Sequence, residues 1–225
     1  MQNVVEKTEV RKDQIRNAAL RCFSLYGFGK TTMDDIASTI GKIASNQALY
    51  RIGMAYEILM YMGVIFLSVA LYHLLKIVNK PGALAALLFR FGEAIMGVLT
   101  VIGSMITLFL INGEFSQETT QTTVAVILEI QEALMSVLMV FIGIGSIIFC
   151  FLFFISRFIP RWLSVFGMIA FSFVLLESLV LLLYPMNPWV FPGVIAVVFE
   201  IVIGLWLMIK GVRIENYDFY NQSVC

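Results

Sequence analysis

Hydrophobic and polar positions divide the chain at about residue 52: short amphipathic segments come before it, and long apolar runs after it. In residues 10–26 the positions Ile15, Ala18, Ala19, Cys22, Phe23 and Tyr26 fall at i, i+3, i+4, i+7, i+8 and i+11, which predicts an amphipathic helix. Gly27 and Gly29 end it. Thr31 and Thr32 then precede Asp34 and Asp35 at a capping-box-like spacing. This predicts a short second helix with Ile36, Ala37 and Ile40 on its apolar side and Gly41 at its close.

Beyond residue 52 the apolar runs are long enough to cross a hydrocarbon layer of about 30 Å. Spans are predicted at about 52–77; 83–111, after the turn Asn79-Lys80-Pro81-Gly82; 124–155; 162–184; and 193–210, after Pro185, Pro188 and Pro192. The third run would measure roughly 48 Å as a helix, so it must tilt or protrude. The expected fold class is all-α: a polytopic membrane helix bundle of about five transmembrane helices, preceded by a short soluble helical segment. Residues 1–42 form that segment, 43–213 the bundle and 214–225 a C-terminal tail.

Composition strengthens this reading. The chain is 60% hydrophobic and 13% charged, against about 45–50% and about 25% in an ordinary soluble domain. A soluble domain could not hide five such runs from water, so the lipid bilayer is the expected partner. The net charge is zero, but residues 1–51 hold eight Lys/Arg against five Asp/Glu, and the remainder is correspondingly acidic. The cysteines Cys22, Cys150 and Cys225 are scattered and unpaired by motif, which supports neither a disulfide framework nor a zinc site. Neither a lipid-anchor motif nor a cleaved signal peptide is expected.

The basic residues also predict a topology. Lys76 and Lys80 fall between spans one and two, Arg157 and Arg161 between three and four, and Lys210 and Arg213 after five, while the other two loops have no Lys or Arg. The expected location is a bacterial cytoplasmic (inner) membrane with the C-terminus in the cytoplasm. The Glu114/Glu118 loop and the Trp189 loop then lie outside, with Tyr184 and Trp189 in the outer aromatic belt. Five crossings also put residues 1–51 outside, although they are the most basic region. That conflict points to a missing or rearranged first span.

Two resemblances meet at this join. Arg11, Ile15, Ala18, Ala19, Phe23, Gly27 and Phe28, then Thr31, Thr32, Ile36, Ala37 and Gly41, with Leu49-Tyr50, resemble the first helices of TetR-type transcriptional regulators. The match breaks after Gly41, where four residues rather than two lead to Ser45, and Ile52-Gly53 and Tyr56-Glu57 replace the motif's usual ending. A recognition helix must present a solvated face to the major groove, and here it would run into a membrane span, so nucleic acid is not an expected partner. The body resembles the multi-span bacterial membrane family termed domain of unknown function 4386. The resemblance rests on Ala44-Ser45-Asn46 to Leu49-Tyr50-Arg51-Ile52-Gly53, on Ala70 to Lys76 with Val78-Asn79-Lys80, on Phe158-Ile159-Pro160-Arg161-Trp162-Leu163, and on Glu200 with Leu205-Trp206-Leu207 and Lys210-Gly211-Val212. It implies a design with one more span ahead of these motifs, displaced here by the TetR-like start, and it implies no activity.

Charged residues within the spans need a reason, because each costs at least a few kcal/mol in hydrocarbon. Arg90 and Glu93 are three apart on one helix face and can neutralise each other, as a structural ion pair or as a gate. Glu129, Glu132, Glu177 and Glu200 fall in one outer slab of spans three to five. Facing one another, they would recruit a proton or a cation; otherwise they are hydrogen-bonded or snorkelling carboxyls. His73 beside Lys76 reads as interfacial packing. The sequence has no phosphate loop, HExxH or GxSxG motif, so no catalytic, cofactor-binding or metal-ligating residue is assigned and an enzyme is not expected. The expected function is small-ion or small-solute transport or sensing through a carboxylate-bearing bundle, in a monomer or a homo-oligomer. The alternative is a membrane-tethered TetR-like regulator.

Overall fold

The computed structural model describes residues 33–184 and 190–212. The predicted helix at 10–26, the Pro185–Trp189 turn and the tail at 214–225 lie outside the described residues. Six helices follow in order: α1 (Met33–Ser45), α2 (Gln47–Leu75), α3 (Lys80–Asn112), α4 (Gln117–Ser156), α5 (Arg161–Leu183) and α6 (Val190–Lys210). Among the described residues there is no strand, and α2 to α6 are all long and apolar enough to cross a membrane.

Local chemistry sets the ends of these helices. Asn79 caps α3, its side chain accepting from the Gly82 amide at 2.8 Å, so Pro81 and Gly82 lie in the first helical turn instead of ahead of it. Proline suits this position because its missing N–H would have no intrahelical partner there. Ser116 caps α4 by accepting from Thr119 N, which makes most of the polar stretch after residue 117 helical. At 40 residues, α4 is ~60 Å long and protrudes from any bilayer core. Arg157 ends it in the left-handed conformation (φ 55°), and Pro160 then starts α5. Between them Phe158 and Ile159 turn inward and are fully buried. At the far end of the chain Gly211 adopts φ 64°, its amide bonding back to Leu207 O at 3.1 Å, an αL stop for α6.

Consecutive long helices are packing neighbours, α2 on α3, α3 on α4, α4 on α5 and α5 on α6. Lys76, Lys80, Arg157, Arg161 and Lys210 therefore gather at one end, the basic end. The opposite end is tied by Gln47 Nε2, which donates to Asn112 Oδ1 at 2.8 Å. The main core lies towards the basic end, where Leu75, Ala83, Ala86, Phe149, Phe153, Phe158, Leu163, Phe171 and Phe199 join all five long helices. Gly143 permits the close approach of α4 and α5, since a β-carbon there would stand 2.8 Å from Leu175 Cβ and 3.2 Å from its Cα.

Helix α1 continues four residues past Gly41, the predicted stop, and only Asn46 separates it from α2. Its apolar face is occupied: Ile36, 3% exposed, packs with Val124 and Ala125 on the protruding part of α4. Many large apolar side chains face outward from the spans, among them Phe66, Leu88, Phe109, Leu182 and Met208. This is the surface that lipid covers.

Candidate functional site: a buried polar stripe on α3

One face of α3 is polar along most of its length. Arg90, Glu93, Gly97, Thr100, Ser104 and Thr107 succeed one another at alternating steps of three and four, so they line up along one side of the helix. Glu93, Gly97, Thr100 and Thr107 are buried, and Ser104 is half-buried. The stripe thus faces protein.

Its hydroxyls are satisfied within the helix. Thr100 Oγ1 donates to Gly97 O (2.7 Å), Ser104 Oγ to Thr100 O (3.3 Å) and Thr107 Oγ1 to Gly103 O (3.0 Å). A hydroxyl that spends its proton on its own backbone presents only lone pairs to its surroundings. The stripe is therefore a line of acceptors. From α4, Gln131 answers it: Nε2 donates to Thr100 O at 2.6 Å and to Ser104 Oγ at 3.0 Å. From α2, the Tyr61 hydroxyl interacts with the Thr100 side chain. The hydroxyl end of the Tyr61 ring lies against Gly97, where a β-carbon would collide with it.

The stripe ends in charges. Arg90 Nη1 lies 2.8 Å from Glu93 Oε2, with side chains only 11% and 4% exposed, and it also donates to Ser146 Oγ at 3.5 Å. The i, i+3 pair read from the sequence is therefore a buried ion pair. Glu93 Oε2 is in contact with Arg90 but accepts no well-aligned hydrogen bond. Gly145 brings α4 up to Arg90, a β-carbon there standing 3.3 Å from Arg90 Cγ and Cδ.

Of the remaining carboxylates, Glu200 is exposed on α6, the helix that packs on α5. It lies within electrostatic range of both Arg90 and Glu93. Arg90 is ten residues from Lys80, Ser146 ten from Ser156 and Glu200 ten from Lys210, so all three sit ~15 Å from the basic end. Glu129 and Glu132, one turn apart on α4, act on each other, and Glu177 is half-buried on α5. Among the described residues, no three His, Cys, Asp or Glu side chains converge as metal ligands would. His73 Nδ1 lies 3.2 Å from Lys76 Nζ at the basic end, and Tyr72 meets its ring edge-on.

Tyr61, Thr100, Ser104, Gln131 and Ser146 are parts of the site that the charged residues alone do not reveal. The signal for the stripe is nonetheless in the sequence, as small and hydroxyl residues at heptad spacing within an apolar run. The partners on other helices have no such signal, because they depend on helix rotation.

Fold and site together define a polytopic helical membrane protein with a polar seam through its interior. The chain belongs to the family described as domain of unknown function (DUF4386), which matches residues 20–211. That match begins within the N-terminal segment that resembles TetR-type regulators. No curated protein and no solved structure matches the chain.

Proposed function

We propose that this chain is a non-enzymatic membrane protein that moves or senses a small cation, or a small solute bearing hydrogen-bond donors, along the α3 stripe. The observation that carries the reading is the stripe itself, six aligned positions from Arg90 to Thr107 on one face of α3, with Glu93, Gly97, Thr100 and Thr107 buried. Association of membrane helices does not require it, since small residues and close packing suffice. Buried polar groups in a bilayer are costly and mark pathways. The acceptor character of the stripe favours cations and donors over anions. The basic residues gathered at one end support a cytoplasmic C-terminus.

The regulator reading receives less support, because the Ile36 face that a free helix-turn-helix would use in its own core is packed on α4.

The test is reconstitution of the full chain into liposomes, with flux of protons, alkali cations and small neutral solutes followed by entrapped dyes and by osmotic swelling. Glu93→Gln and Thr100→Val, each checked for unchanged elution and helicity, are expected to lower the permeant species' flux by at least about tenfold. Wild-type flux in both folded variants would end the proposal.

A further inference from the structure

We propose that the outward face of α5 seats one anionic phospholipid, its phosphate at Arg161 and Lys210 and one acyl chain along the helix beyond them. The inference stands apart from the α3 stripe and holds whether or not an ion passes there.

The headgroup end is built from two helices that pack on each other, α5 and α6. Trp162 of α5 and Trp206 of α6 meet edge-on, ring centroids 6.4 Å apart, and Trp162 is 60% exposed. Each indole has a cation beside it: Arg161 precedes Trp162, and Lys210 follows Trp206 by one helical turn. Arg161 lies over the Phe154 ring of α4, its Cζ 5.1 Å from the centroid, which steadies the guanidinium plane and leaves its edge donors for a phosphate. Among the described residues neither Arg161 nor Lys210 has a carboxylate partner. Elsewhere at the same end, Lys76 Nζ is engaged by His73 Nδ1 at 3.2 Å. Pro160 starts α5 without a side-chain cap, so the amides of the first turn add to the attraction for an anion. Indoles and cations at one helix end suit the layer where lipid headgroups lie.

The chain end is a groove. Met168, Ile169, Ser172, Phe173 and Leu176 line an open cavity of about 280 Å³ on α5. Ile169, Phe173 and Leu176 follow Trp162 at successive steps of seven, four and three residues, so they continue its face of the helix. The groove therefore runs from ~9 to ~21 Å beyond Trp162, the depth of an acyl chain hung from a phosphate at the basic end. Ser172 Oγ donates to Met168 O at 2.7 Å, so the one polar side chain in the groove spends its proton on its own backbone. A free phosphate would use the cations and leave this groove idle. A phospholipid fills both.

The test uses the full chain with Trp189→Phe, which leaves Trp162 and Trp206 as its tryptophans. It is reconstituted in phosphatidylcholine bilayers, with brominated phosphatidylglycerol or brominated phosphatidylcholine added as quencher of their fluorescence. Quenching should report at least about fivefold stronger binding of the phosphatidylglycerol. Arg161→Gln with Lys210→Gln should abolish that preference, and Ser172→Phe, which fills the groove, should lower it. Lys76→Gln with Lys80→Gln removes the same charge elsewhere at the basic end and should leave the preference in place. Equal quenching by the two lipids before any of these changes would overturn the site, with no further variant required to fold. An equal loss from both double substitutions would reduce the effect to general surface charge, and full preference in Ser172→Phe would remove the seat for the chain. Either outcome overturns the proposal.

Discussion

The α3–α4 interface is built in two ways along its length. Towards the basic end it is sealed by Ala83 and Ala86 against Phe149, Leu152 and Phe153, within a core that all five long helices share. Towards the other end the apolar contribution is divided into two small clusters, one around Tyr61, Ala94, Val101 and Leu138 and one where Leu110 packs with Val124, Ala125 and Leu128, and between them Gln131 bridges to Thr100 and Ser104. Both halves hold the same two helices together. The apolar half shows that this pair could have been packed throughout without hydrogen bonds, so the polar half reflects something other than assembly. Its length and its charged terminus at Arg90 are the features on which the proposed route for a small ion rests.

If the halves divide stability from function, substitutions should separate the two. The largest loss of stability is expected from Phe153→Ala, which empties a side chain only 1% exposed from the apolar half. It should cost about 3–5 kcal/mol, read from unfolding in mixed detergent micelles, and should leave the permeant species unchanged in whatever protein survives. Gly97→Ala sits where the halves meet and drives a methyl into the Tyr61 ring. A cost of about 1–3 kcal/mol is expected there, with partial rescue when Tyr61→Ala removes the ring atoms that a β-carbon would meet and no rescue by Tyr61→Phe, which keeps them. Gln131→Leu should be the mildest for stability, about 1 kcal/mol or less as for interhelical hydrogen bonds in bilayers. It should nevertheless remove most of the flux, because it takes away the only α4 side chain that binds both Thr100 and Ser104 among the described residues. A Gln131→Leu protein with greatly reduced stability and intact flux would reverse the comparison.

The same contrast explains what could be read from the sequence. Long apolar runs specify membrane helices almost directly, because backbone polar groups in lipid must be satisfied within the helix. The i, i+3 spacing of Arg90 and Glu93 likewise fixes a contact within one helix. Helix ends were less legible: α4 begins at Gln117 because Ser116 caps it, and α1 passes through Gly41 because no left-handed turn forms there. Relations between helices were not legible. Depth groups Glu200 with Glu129, Glu132 and Glu177, and which of them face one another depends on helix rotation, which spacing along one helix does not give. Tyr61 lies in an apolar stretch of α2 and Gln131 between Glu129 and Glu132 on α4, and only packing shows that both meet the same turn of α3.

The central claim is that the α3 stripe is a wet route through a dry bundle, and single-cysteine accessibility tests it most directly. With Cys22, Cys150 and Cys225 replaced, Ser104→Cys, Thr107→Cys and Thr100→Cys should react with a membrane-impermeant thiol reagent in sealed liposomes. Ile102→Cys and Ile106→Cys, on the exposed lipid-facing side of α3, should not. Reactivity following the steps of three and four along the stripe is the predicted result. A stripe as unreactive as the lipid-facing positions would contradict it.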